Sequence, residues 1–165
     1  MALLGTETIV APLVLHEATV RPEWVDYNGH LSEAYYVFVF GHASDALYDF
    51  IGMDAAHRER TRTSVYTLEA HIGYLREVAE GSRLRVTTQV IGVDTKRMHI
   101  FHAMDDGEGG ALLATEELML LHVDMRGPRA APFPPEIAAR LEAILAAHAG
   151  LAPPRQASRR IALPR

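Results

Sequence analysis

Residues 24–53, WVDYNGHLSEAYYVFVFGHASDALYDFIGM, decide how the rest of the chain is read. A short polar loop holding one acid, an Asn-Gly pair and a His runs directly into an apolar helical pattern. Tyr36, Val39, Phe40, Ala43, Leu47 and Phe50 recur at three- and four-residue spacing, and Val37, Phe38 and Ala46 widen the apolar stripe. The spacing predicts a helix over 30–51, with Gly52 as its stop. A helix this apolar needs cover on nearly every side, so it is expected at the centre of the fold. Its first turn is then expected to be buried too, and a carboxylate placed there needs a reason.

Before the loop, 13–20 alternates loosely and reads as a strand closed by Arg21-Pro22. After the helix, 53–63 is polar and reads as a loop or short helix. Four strand-like segments follow: 64–76, 83–93, 97–104 after a turn at Asp94-Thr95-Lys96, and 111–125 after the turn-forming run Asp105 to Gly110. Pro132, Pro134 and Pro135 then break the chain ahead of an Ala- and Leu-rich helix over 136–148. A sheet curled around one apolar helix satisfies this order, an α+β arrangement with the outline of the hotdog fold. Other α+β meanders share the same periodicity.

Composition narrows the function. The 165 residues suggest one domain, 1–152, followed by a basic tail, 153–165. That tail carries Arg155, Arg159, Arg160 and Arg165 with no acid, and is expected to be solvated and mobile; contact with a phosphorylated ligand or partner is the other reading. The net charge is −5, so the remaining body is decidedly acidic, which argues against a general nucleic-acid surface. With no cysteine there is no disulfide, thiolate metal site or Cys nucleophile. The N-terminus lacks the basic region of a signal peptide and no apolar run reaches spanning length, so a cytoplasmic protein without membrane contact is expected.

The loop before the helix has a chemical reading and a structural one. Helix N-termini carry unpaired N–H groups and partial positive charge, which suit the oxyanion formed when a carbonyl is attacked. Gly29 allows a tight turn and close approach of a ligand. Asp26, just before it, could supply a nucleophile or base beside the N–H groups of 30–33. Alternatively, Asp26 or Asn28 caps the helix, or Asp-Tyr-Asn-Gly is simply a turn.

Residues 24–53, together with YTLEAHIGYLREVAEGSRLRVTTQVIGVDTKRMHIFH and LLATEELMLLHVDM, resemble the hotdog thioesterases of the 4-hydroxybenzoyl-CoA thioesterase type over about 17–124. Within them, the WVDYNGH segment is similar to the subgroup acting on betainyl-CoA. The resemblance implies an acyl-CoA thioesterase, with CoA entering as part of the substrate and no separate cofactor. It implies Asp26 as nucleophile or general base, Gly29 in the turn, the N–H near Glu33 as oxyanion donor, Asn28 and His30 as orienting groups, and Glu33 as a reserve base. It also implies a homodimer or dimer of dimers with its site between subunits.

Other positions join this reading. Glu69 and His71 share one face of a strand, about 7 Å apart. They are either a solvent-facing pair or part of a site completed by a partner subunit. Glu69 could offset a trimethylammonium charge, with Trp24, Tyr27, Tyr35, Tyr36 and Tyr74 offering ring faces or simply packing. Arg76, Arg83, Lys96 and Arg97 are candidate contacts for CoA phosphates, or ordinary surface cations. Nine histidines show no metal-ligand spacing: His99 and His102 fall on opposite strand faces, and His30 and His42 lie about 18 Å apart along a helix. A hydratase of the same fold is the first alternative, but Asp26-Tyr27-Asn28-Gly29-His30 lacks the proline and the five-residue spacing that its motif needs. A non-catalytic acyl-CoA-binding protein is the second.

Overall fold

The computed structural model describes residues 9–107 and 110–162. The helical spacing is realised as α1, Glu33–Phe50. It starts later than the pattern predicts because 30 and 31 are held in extended backbone: Leu31 N–H donates to Val78 O, and Val25 pairs with Leu31 and His30 with Ala79 in isolated bridges. A short helix, α2 (Ala55–Thr61), occupies the polar segment, and the Asp54 side chain caps it by accepting from His57 N–H at 2.7 Å.

The strands are β1 (Leu13–Thr19), β2 (Thr63–Tyr74), β3 (Arg83–Val93), β4 (Arg97–Asp105) and β5 (Leu112–Asp124). They form an antiparallel sheet in the order β1-β3-β4-β5-β2, and a two-residue strand, β6 (Arg129–Ala130), pairs with the end of β5. The sequence pattern misses β6, which is too short to show alternation. The terminal helix α3, Pro135–His148, packs against β3.

The sheet wraps one side of α1. Its inner face meets the helix in two apolar clusters: Val39, Phe40, Val86 and Met104 gather around the first half of α1, and Leu47, Ile100, Leu120 and Leu141 around the second. Phe40 and Leu47 are fully buried, each contributing about 1.5–3 kcal/mol by leaving water. The expectation of cover all round is wrong for this chain. Val37 is 39% exposed and Phe38 48%, because the sheet curls over one side of α1 only. On the Val37 flank the nearest element is β2, which is the edge of the sheet and carries exposed Tyr66 and Leu68.

Candidate active site

The Asp26 loop is a tight turn closed by its own backbone. Gly29 N–H donates to Asp26 O and Asp26 N–H to His30 O, each at 3.0 Å, while Gly29 takes the left-handed φ of 80°. Asp26 Oδ1 accepts from Asn28 N–H at 2.8 Å. Of the two structural readings the turn therefore holds, and capping does not. Ser32 occupies the N-cap of α1 without making a side-chain cap bond. Tyr35 N–H turns back to Ser32 O at 2.9 Å, and no side chain caps the N–H groups before it.

Asp26, Asn28, His30, Glu33, Tyr36 and Arg76 line one open cleft of about 680 Å³. His30 Nε2 lies 3.5 Å from the Glu77 carboxylate, and Tyr36 Oη donates to Arg76 O at 3.0 Å. Burial raises the Tyr36 phenol above its ordinary range, and the Glu77 charge adds to the effect. Tyr74, its ring 5.4 Å from that of Tyr36, lines the same cleft.

Other predicted positions lie elsewhere in the chain. Trp24 is buried under the loop, stacked on Tyr35 with the Arg21 guanidinium 5.3 Å above its ring, so it packs rather than lines the cleft. Tyr27 is 96% exposed at the tip of the turn. Glu69 and His71 do share a strand face, but it is the outer one. There they line a shallow pocket with His99, Glu117 and Arg159. Arg97 is paired to Asp94 at 2.7 Å, and that carboxylate also accepts the N–H of Lys96. The Arg97–Leu121 and Tyr74–Ala114 pairings mark opposite ends of β5, roughly 23 Å apart along the strand. Neither Lys96 nor Arg97 reaches the cleft of its own chain. Arg83 is paired with Glu17 at 3.5 Å. The tail, described to Ala162, lies on the outer face, with Ser158 N–H donating to Glu117 Oε2 at 2.7 Å.

A second cavity of about 430 Å³ runs between α1, β2 and β5, lined by Val37, Ser44, Tyr48, Ile72, Glu116 and Leu118 among others. Glu116 is only 4% exposed, and burial alone raises its carboxyl to about 7. Burial also raises the Tyr48 phenol, with the charges of Asp45 and Glu116 adding to it. The sequence reading passed over Glu116. The signal was present: Ala114, Leu118 and Leu120 fix the inward register of β5, and the acid at 116 stands in it. His102, on β4 opposite Glu116, faces inward while His99 faces outward, as their spacing predicts. Its nitrogens meet Ser44 Oγ at 3.0 Å and Thr88 Oγ1 at 2.9 Å, and burial holds it neutral, down to about 3. Among the described residues no group of three or more His, Asp or Glu is arranged to hold a metal ion, and no helix is long and apolar enough to cross a membrane.

Comparison with known proteins bears on this geometry. The family model of the thioesterase-like superfamily matches residues 20–141. A betainyl-CoA thioesterase from Pseudomonas aeruginosa is 49% identical over 152 residues, covering 92% of this chain and 96% of that protein. A crystal structure from Pseudomonas putida KT2440, provisionally designated a thioesterase, is 40% identical with a TM-score of 0.82, covering 94% of this chain and 99% of that one. A Staphylococcus aureus protein solved in complex with CoA is 26% identical with a TM-score of 0.87, covering 96% of this chain and all of the other. By its family match, its near full-length relative and its curled sheet on a central helix, the chain belongs to the thioesterase-like superfamily and is a hotdog-fold thioester hydrolase.

Proposed function

We propose that the chain hydrolyses a small acyl-CoA, with betainyl-CoA as its substrate, and that Asp26 supplies the nucleophile or general base. One observation carries this reading: a carboxylate and an uncapped helix N-terminus border one cleft. The thioester carbonyl oxygen would accept from N–H groups at the start of α1, whose partial charge stabilises the developing oxyanion. Asp26 then attacks the carbonyl carbon, giving an anhydride that water cleaves, or takes a proton from the water that attacks. A thiolate, with a conjugate-acid pKa of about 8.5, leaves without a strong acid. Asn28 and His30 flank the water's approach, and Glu33 on the first helical turn is a reserve base. No cofactor is needed in this reaction.

The CoA complex of the Staphylococcus aureus neighbour supports a CoA ester, and Arg76 is the cleft cation nearest to hand for its phosphates. The active unit in this reading is a homodimer, or a pair of them. An edge strand with exposed Tyr66 and Leu68 beside the open Val37 flank is a surface that pairing would cover. A partner would also bring a second set of Glu69, His71, Tyr27, Lys96 and Arg97 into play, which is how those positions could still serve a site.

Asp26→Asn tests the chemistry. CoA release is expected to fall by about 10³-fold with the melting temperature unchanged. Undiminished turnover would refute the role of Asp26. A panel of acyl-CoAs in the same assay tests the substrate, and a preference for long neutral chains would remove betainyl-CoA.

A further inference from the structure

Glu116 is a buried carboxylate that no other group of the described chain engages. Burial is the sole influence on its protonation, and among the described residues no hydrogen bond or ion pair holds it. Buried polar groups kept for stability are normally paired. Its cross-strand neighbour His102 is paired at both nitrogens. Glu116 instead faces the 430 Å³ cavity.

The position of that cavity matters as much as its lining. Glu116 lies opposite Ile72 on β2, and Tyr74, two residues further along, lines the Asp26 cleft. On α1, Val37 of the cavity follows Tyr36 of the cleft. Glu116 therefore stands at the end of the cavity that adjoins the cleft, and its charge is felt at the Tyr74 hydroxyl.

We infer that Glu116 is the specificity-determining residue for the acyl group, receiving a quaternary ammonium head beside the walls formed by Val37, Ile72, Leu118 and the Tyr48 ring. This rests on the thioesterase reading of the Asp26 cleft and says which acyl group that cleft is built to accept. A trimethylammonium carries charge but no N–H, so it asks for a counter-charge and apolar or aromatic contact rather than directed acceptors. The unpaired Glu116 carboxylate beside Val37, Ile72, Leu118 and the Tyr48 ring supplies that combination, with Asp45 adding a second negative charge at the Tyr48 end of the cavity. A neutral acyl group would leave the carboxylate buried without compensation.

The site also carries a pH signature. The groups around Glu116 are Asp45 and Tyr48 on α1, Tyr74 on β2, and His102 on β4, which stays neutral; Arg58 of α2 acts on Tyr48 from the far side. With Glu116 ionising near neutrality, the cationic substrate gains affinity as pH rises through about 7, and a neutral one does not.

The experiment compares betainyl-CoA with 3,3-dimethylbutanoyl-CoA, which has the same shape with carbon in place of the charged nitrogen. In Glu116→Gln the ratio of kcat/KM for the cation to that for its neutral mimic should drop by about 50-fold, as expected for loss of a desolvated charge partner. The ratio cancels any loss common to both substrates. In the unmodified protein the KM for the cation, relative to that for the mimic, should fall between about pH 6 and about pH 8. This second measurement needs no variant, so it decides the matter if Glu116→Gln fails to fold. A cation preference that survives Glu116→Gln, or a relative KM flat across that range, overturns the role of Glu116 and leaves the thioesterase reading standing. Absence of hydrolysis of either ester by the unmodified protein sinks both, as does turnover of the two without distinction where the substrate is concerned.

Discussion

Glu116 and Glu117 are neighbours on β5 and the same residue type, yet they face opposite sides of the sheet and lead opposite lives. Glu117 points outward and is fully engaged: His99 Nε2 sits 2.7 Å from one oxygen and Ser158 N–H donates to the other at 2.7 Å. Glu116 points inward, is 4% exposed and opens onto the cavity, and has burial as the one influence on its protonation. Strand alternation alone separates them. The outer acid is explained by what it holds in place, namely the C-terminal tail. The inner one has no partner among the described residues, and the one inferred for it arrives from outside.

Three experiments would break or sharpen that contrast. The largest effect is expected from Glu116→Gln on stability. The folded carboxyl, at about 7, lies above its ordinary 4.5, so the native state keeps this proton longer than the unfolded chain does. Stability is therefore lost as pH rises from about 4.5 and the loss is complete above about 7, amounting to about 3 kcal/mol. The unfolding free energy of the variant, read from chemical denaturation, should exceed that of the unmodified protein by about this much at pH ~8 and by nothing at pH ~4. A difference that does not depend on pH would mean that the folded carboxyl titrates at its ordinary value, and one of the opposite sign that it has a cationic partner. His102 carries the opposite sign: its folded value is depressed, so its contribution is present above about 6.5 and is lost as pH falls toward about 3. With Glu116 gone, stability between those limits should rise with pH.

Next comes Thr88→Val, which keeps the shape of the side chain and strands one nitrogen of His102. The expected cost is about 2 kcal/mol, read from chemical denaturation near neutral pH. A cost near zero would show that a buried polar group on the inner face can go unpaired cheaply, and would weaken the argument made for Glu116. The smallest effect should follow Glu117→Ala on the outer face. The core is untouched, so the melting temperature should barely move, while tryptic cleavage after Arg155 and Arg159 should quicken about tenfold as the tail loses its anchor. Unchanged cleavage would mean that the tail is held by other contacts.

Much of this was legible in the sequence, for physical reasons. The spacing from Tyr36 to Leu47 could only be a helix against a core, and the alternation of Leu84, Val86 and Val90 could only be a strand with one buried face. Asp26, Asn28, His30 and Glu33 fell together because they are close in the chain, so local geometry was enough. Two kinds of information were not local. The one-sidedness of the cover on α1 depends on where the sheet ends, which composition does not reveal, and so Val37 and Phe38 were expected inside. The assignment of Glu69, Lys96 and Arg97 to one site needed the curvature and length of the sheet, which place them on its far face and far end. The seat of the tail depends on a backbone N–H at Ser158, and no side-chain pattern advertises that. Glu116 is the instructive miss, since the alternation that placed Leu118 and Leu120 inward placed it inward as well.

The Asp26 loop does not hold itself in position. Leu31 N–H is tied to Val78 O, His30 pairs with Ala79, and Gly81 and Ser82 exchange bonds with Val20 just ahead of the loop. The short connection ahead of β3, distant in the chain, therefore acts as the jig in which the turn is clamped. Changes at the buried Val78 would cost stability and also misplace the carboxylate, so turnover should fall by more than the loss of folded protein accounts for. A random survey for slow variants should find hits there, beyond Arg76 and Glu77, which the same stretch presents to the cleft.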